Sequence, residues 1–279
     1  MTSKHYFYKM QGSGNDFILW DNSVLKLPRK EMPRWAELLC PRSFAVGADG
    51  MIFLDGSDSK DLDFVWHFYN ADGSRAEMCG NGSRCAARLA YELGLAGKNQ
   101  VFGTDAGKIS ARIKDNGEVK VQLTPVKELQ THIPLRFEQT DQVNVHFVNT
   151  GVPHCVVISE DLHQINVIET GRRIRMHPRF APAGANVNFI QVKDKNNILV
   201  RTYERGVEGE TYACGTGAAA AAVVGAALEL CSNPVQVLTS GREKLGIDIH
   251  DNNVYLTGKA DFIYRGQIYP ETFGLNMPD

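Results

Sequence analysis

The chain has 279 residues, with 30 basic against 32 acidic side chains, 43% hydrophobic and 22% charged residues. That make-up is ordinary for a globular protein, and a net charge of −2 offers no basic footprint for nucleic acid or an anionic membrane surface. Two units of about 140 residues fit the length, each large enough to bury a core.

From the N-terminus, residues 1–10 carry Lys4, His5 and Lys9 among aromatics and no apolar h-region, so no secretory leader is expected. Six cysteines are too few for a disulfide scaffold, which points to thiols in a reducing cytoplasm. No C-x-x-C or H-x3-H spacing occurs, so no metal site is expected. A strand is predicted at Asp63-Phe64-Val65-Trp66-His67-Phe68. The turn Met78-Cys79-Gly80-Asn81-Gly82 follows and opens a helix over 83–93, closed by Gly94. Asp115-Asn116-Gly117 marks a further turn before the alternating strand Val119-x-Val121-x-Leu123.

A polar join is expected around Pro125 to Pro134, after which the pattern recurs. Ile198-Leu199-Val200-Arg201-Thr202-Tyr203 reads as a strand, and Ala213-Cys214-Gly215-Thr216-Gly217 opens a helix over 217–230. Asp251-Asn252-Asn253 then turns the chain into Val254-x-Leu256. The second helix is apolar on every side and must be enclosed by protein. Its uncharged run, 214–228, is 15 residues long, short of the roughly 20 that span a bilayer.

Cys79 and Cys214 stand 135 residues apart, and Thr104-Asp105 and Thr239-Ser240 repeat at the same offset. Phe68-Tyr69-Asn70 and Thr202-Tyr203-Glu204 follow at 134. We read a duplicated α+β unit over 1–128 and 135–263, mostly antiparallel strands wrapped around a central helix, with the tail 264–279 returning to the first copy.

A lone cysteine in a glycine corner reads as a small buried hydrophobe. Two at matched helix starts read as a reactive pair. The N–H groups of a helix's first turn favour an anion, so they draw a thiol's pKa toward neutrality and also offer a carboxylate site. If the equivalent turns face each other across a pseudo-twofold axis, one sulfur lies on each side of a bound carbon. That suits inversion of a stereocentre beside a carboxylate, one thiolate removing the α-proton and the opposite thiol returning one.

The residues then resemble the diaminopimelate epimerase family over essentially the whole chain. The resemblance rests on Gly12-Ser13-Gly14-Asn15-Asp16-Phe17, Val46-Gly47-Ala48-Asp49-Gly50, Asn70-Ala71-Asp72-Gly73-Ser74, Met78 to Cys85, Gly151-Val152-Pro153-His154, Gly184 to Phe189, Tyr203-Glu204-Arg205-Gly206 and Ala213 to Ala218. It implies that Cys79 and Cys214 are the acid–base pair, with Gly80-Asn81 and Gly215-Thr216 as backbone donors to the reacting carboxylate. Asn15, Asn70 and Asn186 match substrate-binding asparagines. Glu204 and Arg205 match the pair that holds the substrate's ammonium and carboxylate groups, and His154 with Glu204 the groups that assist the thiols. The family implies a cofactor-independent homodimer that converts LL- to meso-2,6-diaminopimelate in lysine and peptidoglycan precursor synthesis. One position departs from it: many members read Gly-Asn-Pro-His where this chain has Val152, one amide fewer for the distal end of the substrate.

Other functions share parts of this pattern. A racemase of a shorter dicarboxylic amino acid such as glutamate fits the altered position 152. Proline racemases and hydroxyproline epimerases share the paired cysteines but not Asn70, Asn186 and Glu204-Arg205. A non-catalytic amino-acid-binding protein would have no need of a second matched thiol. Nucleotide binding lacks both the P-loop Lys-Ser/Thr and a G-x-G-x-x-G after a strand.

Overall fold

In the computed structural model, which describes residues 6–137 and 142–278, Ser13 and Gly14 sit at φ +61° and +81°. Two left-handed residues in a row make the tight turn that matches strand twist, and they join β1 (Phe7–Gly12) to β2 (Asn15–Asp21) as an antiparallel hairpin. The residues read for a leader, up to His5, lie outside the described ones. After the short α1 (Asn22–Leu25) and α2 (Met32–Leu39), β3 (Gly50–Gly56) lies parallel to β2 and antiparallel to β4 (Phe64–Asn70). α3 (Gly80–Glu92) follows, then β5 (Asn99–Thr104), parallel to β4, and the antiparallel pair β6 (Gly107–Ile113) and β7 (Val119–Gln122).

The second run repeats the order. β8 (Lys127–Arg136) pairs with β9 (Gln142–Asn149), which pairs with β10 (Pro153–Ile158). α4 (Val167–Arg175) leads to β11 (Asn186–Asp194), parallel to β10, and to the antiparallel β12 (Asn197–Glu204), extended by β13 (Gly209–Thr211). α5 (Gly215–Ala227) precedes β14 (Val235–Leu238), parallel to β12, and the meander β15 (Lys244–His250) and β16 (Asn253–Gly258). β17 (Asp261–Gly266) then pairs with β1. The fold class is α+β, built of two copies of one strand order.

The chain divides into Met1–Val121 with Lys259–Asp279, and Gln122–Gly258. These breaks differ from those expected at 128, 135 and 263. The stretch from Pro125 to Pro134, expected as a join, carries most of β8, a strand of the second unit whose alternation is hidden because eight of its ten residues are exposed. The return to the first unit starts at Lys259, five residues earlier than expected, because β17 supplies the partner of β1.

Both long helices start earlier than their sequences suggest, since each cysteine itself serves as N-cap with extended φ and ψ. α3 ends where Gly94 turns left-handed, with Gly94 N–H to Tyr91 C=O and Leu95 N–H to Ala90 C=O. α5 closes by the same pair of bonds, Glu229 to Ala226 and Leu230 to Gly225, with Glu229 in the left-handed position. A glutamate there gives no sequence signal, which is why that helix stops short of 230.

Each unit has its own core. In the first, Trp20, Trp35, Leu39, Met51, Phe53 and Tyr69 pack between α2 and the strands. In the second, Val145, Cys155, Ile174, Val187, Phe189 and Tyr203 pack under α4, and Gly171 lies against the Tyr203 ring with no room for a side chain. α5 is buried along nearly its whole length, and its alanines let strands approach on all sides. No helix among the described residues is long and apolar enough to cross a membrane.

Candidate active site

In the first unit the β1–β2 turn delivers Asn15 to the start of α3. Cys79 Sγ lies 3.6 Å from Asn15 Oδ1 and accepts the Gly82 backbone N–H at 3.5 Å. The sulfur therefore takes the place of a capping oxygen at a helix end whose other donors come from Gly80 and Asn81. Gly82 allows the close fit, since a Cβ there would stand 3.2 Å from Ile52 Cδ1 on β3. Asn81 Nδ2 approaches Asn15 Oδ1 at 3.5 Å, while Asn15 Nδ2 donates to Asp49 Oδ2 at 2.7 Å. The register Phe17–Gly50–Asn70 across β2, β3 and β4 places Asn70 on the same sheet end. Asn70 Nδ2 donates to Ser74 Oγ, and Asp72 holds Ser74 in turn.

Charged groups that the sequence reading passed over surround this site. Arg84 is fully buried, its guanidinium donating to Asn81 Oδ1, Ser13 Oγ, the Gly80 carbonyl and the Lys259 carbonyl. Lys9 pairs with Asp16 at 2.6 Å, and Arg42 bridges Asp16 and Asp49. Burial alone would raise the Asp16 pKa, but the hydrogen bonds from Arg42 and Lys9 outweigh it and hold the carboxyl at about 2. In the helix Arg84 shares a face with Asn81, Ala87 and Arg88 rather than with Cys85 and Leu89, so its burial had no local sequence signal.

In the second unit, Cys214 caps α5 with its Sγ 3.4 Å from Thr216 Oγ1, and Thr150 Oγ1 donates to the Thr216 carbonyl at 2.9 Å. β10 and β11 place His154 opposite Asn186. Asn186 ties two loops, donating from Nδ2 to the Pro153 carbonyl at 3.3 Å and accepting the Arg205 N–H at 2.8 Å. Each end of this amide keeps one further hydrogen or lone pair. Glu204 ends β12, and the Arg205 guanidinium lies 3.4 Å from the Gly184 carbonyl. Glu208 braces the turn that carries them, accepting from Gly206 N–H, Arg175 and Tyr203 Oη.

His154 is fully enclosed. Burial, with the Arg205 cation as a smaller contribution, drives its pKa down to about 3, so the ring is neutral. Asn188 Oδ1 accepts from Thr202, which turns its Nδ2 toward His154 Nδ1 at 3.0 Å and the Cys155 carbonyl. Nδ1 is thereby the acceptor, and the proton sits on Nε2, which has no hydrogen-bond partner among the described residues. The ring is poised to donate a hydrogen bond rather than to take a proton. Asn188 also blocks any side chain at Gly217, whose Cβ would overlap its Oδ1. A polar residue between Val187 and Phe189 on a buried strand was the available signal for it.

The remaining thiols lie in apolar surroundings. Burial pushes the Cys40 thiol up to about 12 and raises those of Cys155 and Cys231. Cys85 is enclosed with Leu89 on α3. No cluster of three or more His, Cys, Asp or Glu among the described residues is arranged to hold a metal ion.

The diaminopimelate epimerase family model matches residues 7–129 and 146–263. Diaminopimelate epimerases of Aquifex aeolicus and of a Hydrogenobaculum strain are each 46% identical to this chain. The alignments cover 95% of it and 98% and 99% of those proteins. Among solved structures, a PhzF-family phenazine biosynthesis protein of Bacillus anthracis superposes with a TM-score of 0.70 at 16% identity. That match covers 96% of this chain and all of the other, and it establishes the shared fold. With two matched helix starts capped by cysteine, this architecture and relatives of this similarity, the chain belongs to the diaminopimelate epimerase family.

Proposed function

We propose that the chain is an isomerase that converts LL-2,6-diaminopimelate to meso-diaminopimelate by two-base chemistry, with Cys79 and Cys214 acting on opposite faces of one α-carbon. The observation that carries this reading is the pair of 13-residue helices, each N-capped by a cysteine. One thiolate takes the α-proton, and the other sulfur gives a proton to the opposite face. Charge then develops on the substrate's α-carboxylate, where the backbone N–H groups of Gly80, Asn81, Gly215 and Thr216 are preorganised to receive it. The same N–H groups stabilise each sulfur as thiolate. Arg205 clamps the distal carboxylate, Glu204 receives an ammonium group, and Asn15, Asn70 and Asn186 complete the polar contacts. Neutral His154, as donor, and Glu204 assist the thiols.

No metal or organic cofactor enters this chemistry, and the setting is the cytoplasm. The homodimer expected of the family is supported by β17, whose ladder with β1 leaves Phe262, Ile263 and Tyr264 exposed. The test is incubation of purified protein with LL-diaminopimelate in deuterated water, following loss of the α-proton signal. Glutamate and proline serve as parallel substrates because of Val152. Exchange on diaminopimelate alone is expected; exchange on glutamate alone would reassign the substrate to a shorter dicarboxylic amino acid. Exchange lost to a chelator and restored by metal would overturn the cofactor-free mechanism.

A further inference from the structure

Two side-chain amides beside Cys79 lie between a cation and an anion. Arg84, which can only donate, binds Asn81 Oδ1 at 3.0 Å, so Asn81 must present its Nδ2 to Asn15. Asp49, which as a carboxylate can only accept, binds Asn15 Nδ2 at 2.7 Å. Both ends therefore impose one direction on the chain Arg84, Asn81, Asn15, Asp49. Its result is that Asn15 Oδ1 points at the Cys79 sulfur. We propose that Asp49 is a positioning residue, which fixes the Asn15 amide so that a carbonyl oxygen rather than an N–H faces Cys79.

The consequence is chemical. A carbonyl beside sulfur accepts from S–H and opposes S⁻, whereas the Gly82 N–H at the helix end favours S⁻. An acid–base sulfur must both hold and release a proton, and these two contacts balance the forms. Arg42 makes Asp49 the control point. It donates to Asp49 Oδ1, while Oδ2 receives Asn15 and the Asp16 N–H. In Asp49→Asn the new carbonyl keeps the charged donor Arg42, and the new NH2 faces both Asn15 Nδ2 and the Asp16 N–H, where Oδ2 had accepted the two. Asn15 is then held in its original sense only by the 3.5 Å contact from Asn81 Nδ2, weaker than the 2.7 Å bond it has lost, so it turns over and offers an N–H to Cys79. The other charges packed here, Lys9, Asp16, Arg42 and Arg84, are unchanged by that substitution.

The inference rests on the reading of Cys79 as an acid–base thiol, but its test does not use turnover. The rate of Cys79 alkylation by iodoacetamide is followed against pH by mass spectrometry of the Cys79 peptide. Asp49→Asn is expected to accelerate it about tenfold at a fixed pH below the midpoint, the equivalent of one pH unit. Removing a negative charge alone would act in the same direction, so the substitution is repeated in Asn15→Ala. There it is expected to change the rate less than about twofold, because the mediating amide is gone. Equal acceleration in both backgrounds, or none in the wild-type background, overturns the proposal. Should Asp49→Asn not fold, Asn15→Ala alone decides: it must itself speed alkylation, and an unchanged rate overturns the proposal. Turnover by Cys79→Ala would instead overturn the role of Cys79, leaving the orientation of Asn15 as measured.

Discussion

The two units share strand order, helix length and a cysteine at the same N-cap, yet they support that cysteine by different means. In the first, α3 carries a buried arginine, and Lys9, Asp16, Arg42 and Asp49 form an ionic frame behind Asn15. In the second, α5 holds only alanine, valine, glycine and one threonine, and the groups behind it are neutral: Asn188, Thr202, uncharged His154 and Thr150. Duplication has kept the backbone positions that deliver a sulfur and its N–H donors. What holds those positions has diverged, because packing and hydrogen bonding can be satisfied by either charged or neutral partners.

Three experiments sharpen or break this comparison. The largest effect is expected from the sulfurs, where the units should be equivalent. Cys79→Ser and Cys214→Ser should each lower diaminopimelate turnover by at least ~10²–10⁴-fold in both directions, since serine cannot serve as the base. Each variant should still eliminate halide from a β-halogenated analogue, but from opposite stereoisomers. Near wild-type epimerisation by either variant would leave that cysteine a structural role only.

At the matched glycines the units should differ. Gly217→Ala drives a methyl into Asn188 Oδ1, and its cost should lie in the ~1–3 kcal/mol range of overpacking. Gly82→Ala crowds the flexible end of Ile52 at 3.2 Å and meets the Phe17 and Trp66 rings at an ordinary 3.5 Å, and alanine's better helix propensity offsets part of the strain. Urea unfolding of the two variants measures the contrast. Equal losses would mean that the neutral scaffold is no tighter than the ionic one.

Acid should separate them more gently. The folded-state pKa of His154 is depressed below its unfolded value, so the unfolded state binds the extra proton. Stability should then decline as pH falls from about 6.5 toward 3, by no more than ~1.4 kcal/mol per pH unit. Asp16 contributes stability above the ordinary aspartate pKa and loses it only as pH falls toward about 2. His154→Asn should therefore flatten urea midpoints between pH 6 and 4, whereas Asp16→Asn should lower the midpoint throughout that range and flatten its pH dependence only below about 4. A pH dependence that His154→Asn leaves unchanged would remove the enclosed ring as its source.

Much of this was legible in the sequence because glycine, cysteine and asparagine carry local meaning. The two cysteine turns, the helices they open and the repeat offset all rest on short-range rules. What escaped was set by distant partners. Asp49 stood in a recognised motif, but its role appears only when β2 and β3 align it with Asn15. Arg84 stood within the Met78 to Cys85 motif with no role of its own, because its partners Ser13 and Lys259 are far away in the chain. β8 was unreadable because its outward residues carry no hydrophobic alternation, and Glu229 ends α5 in a conformation that glutamate rarely signals.

The strand that follows each unit's meander completes the other unit: β8 joins β9, and β17 joins β1. During synthesis this gives the two halves unequal schedules. The second unit is one continuous segment and has every strand as soon as residue 258 leaves the ribosome. The first, though made earlier, waits for 259–279 before β1, already paired with β2, gains its second neighbour, a pairing across some 250 residues of chain (Gln11 with Asp261). Such a distant closure is slow relative to local ones. The N-terminal half, first to emerge, is the last to be finished.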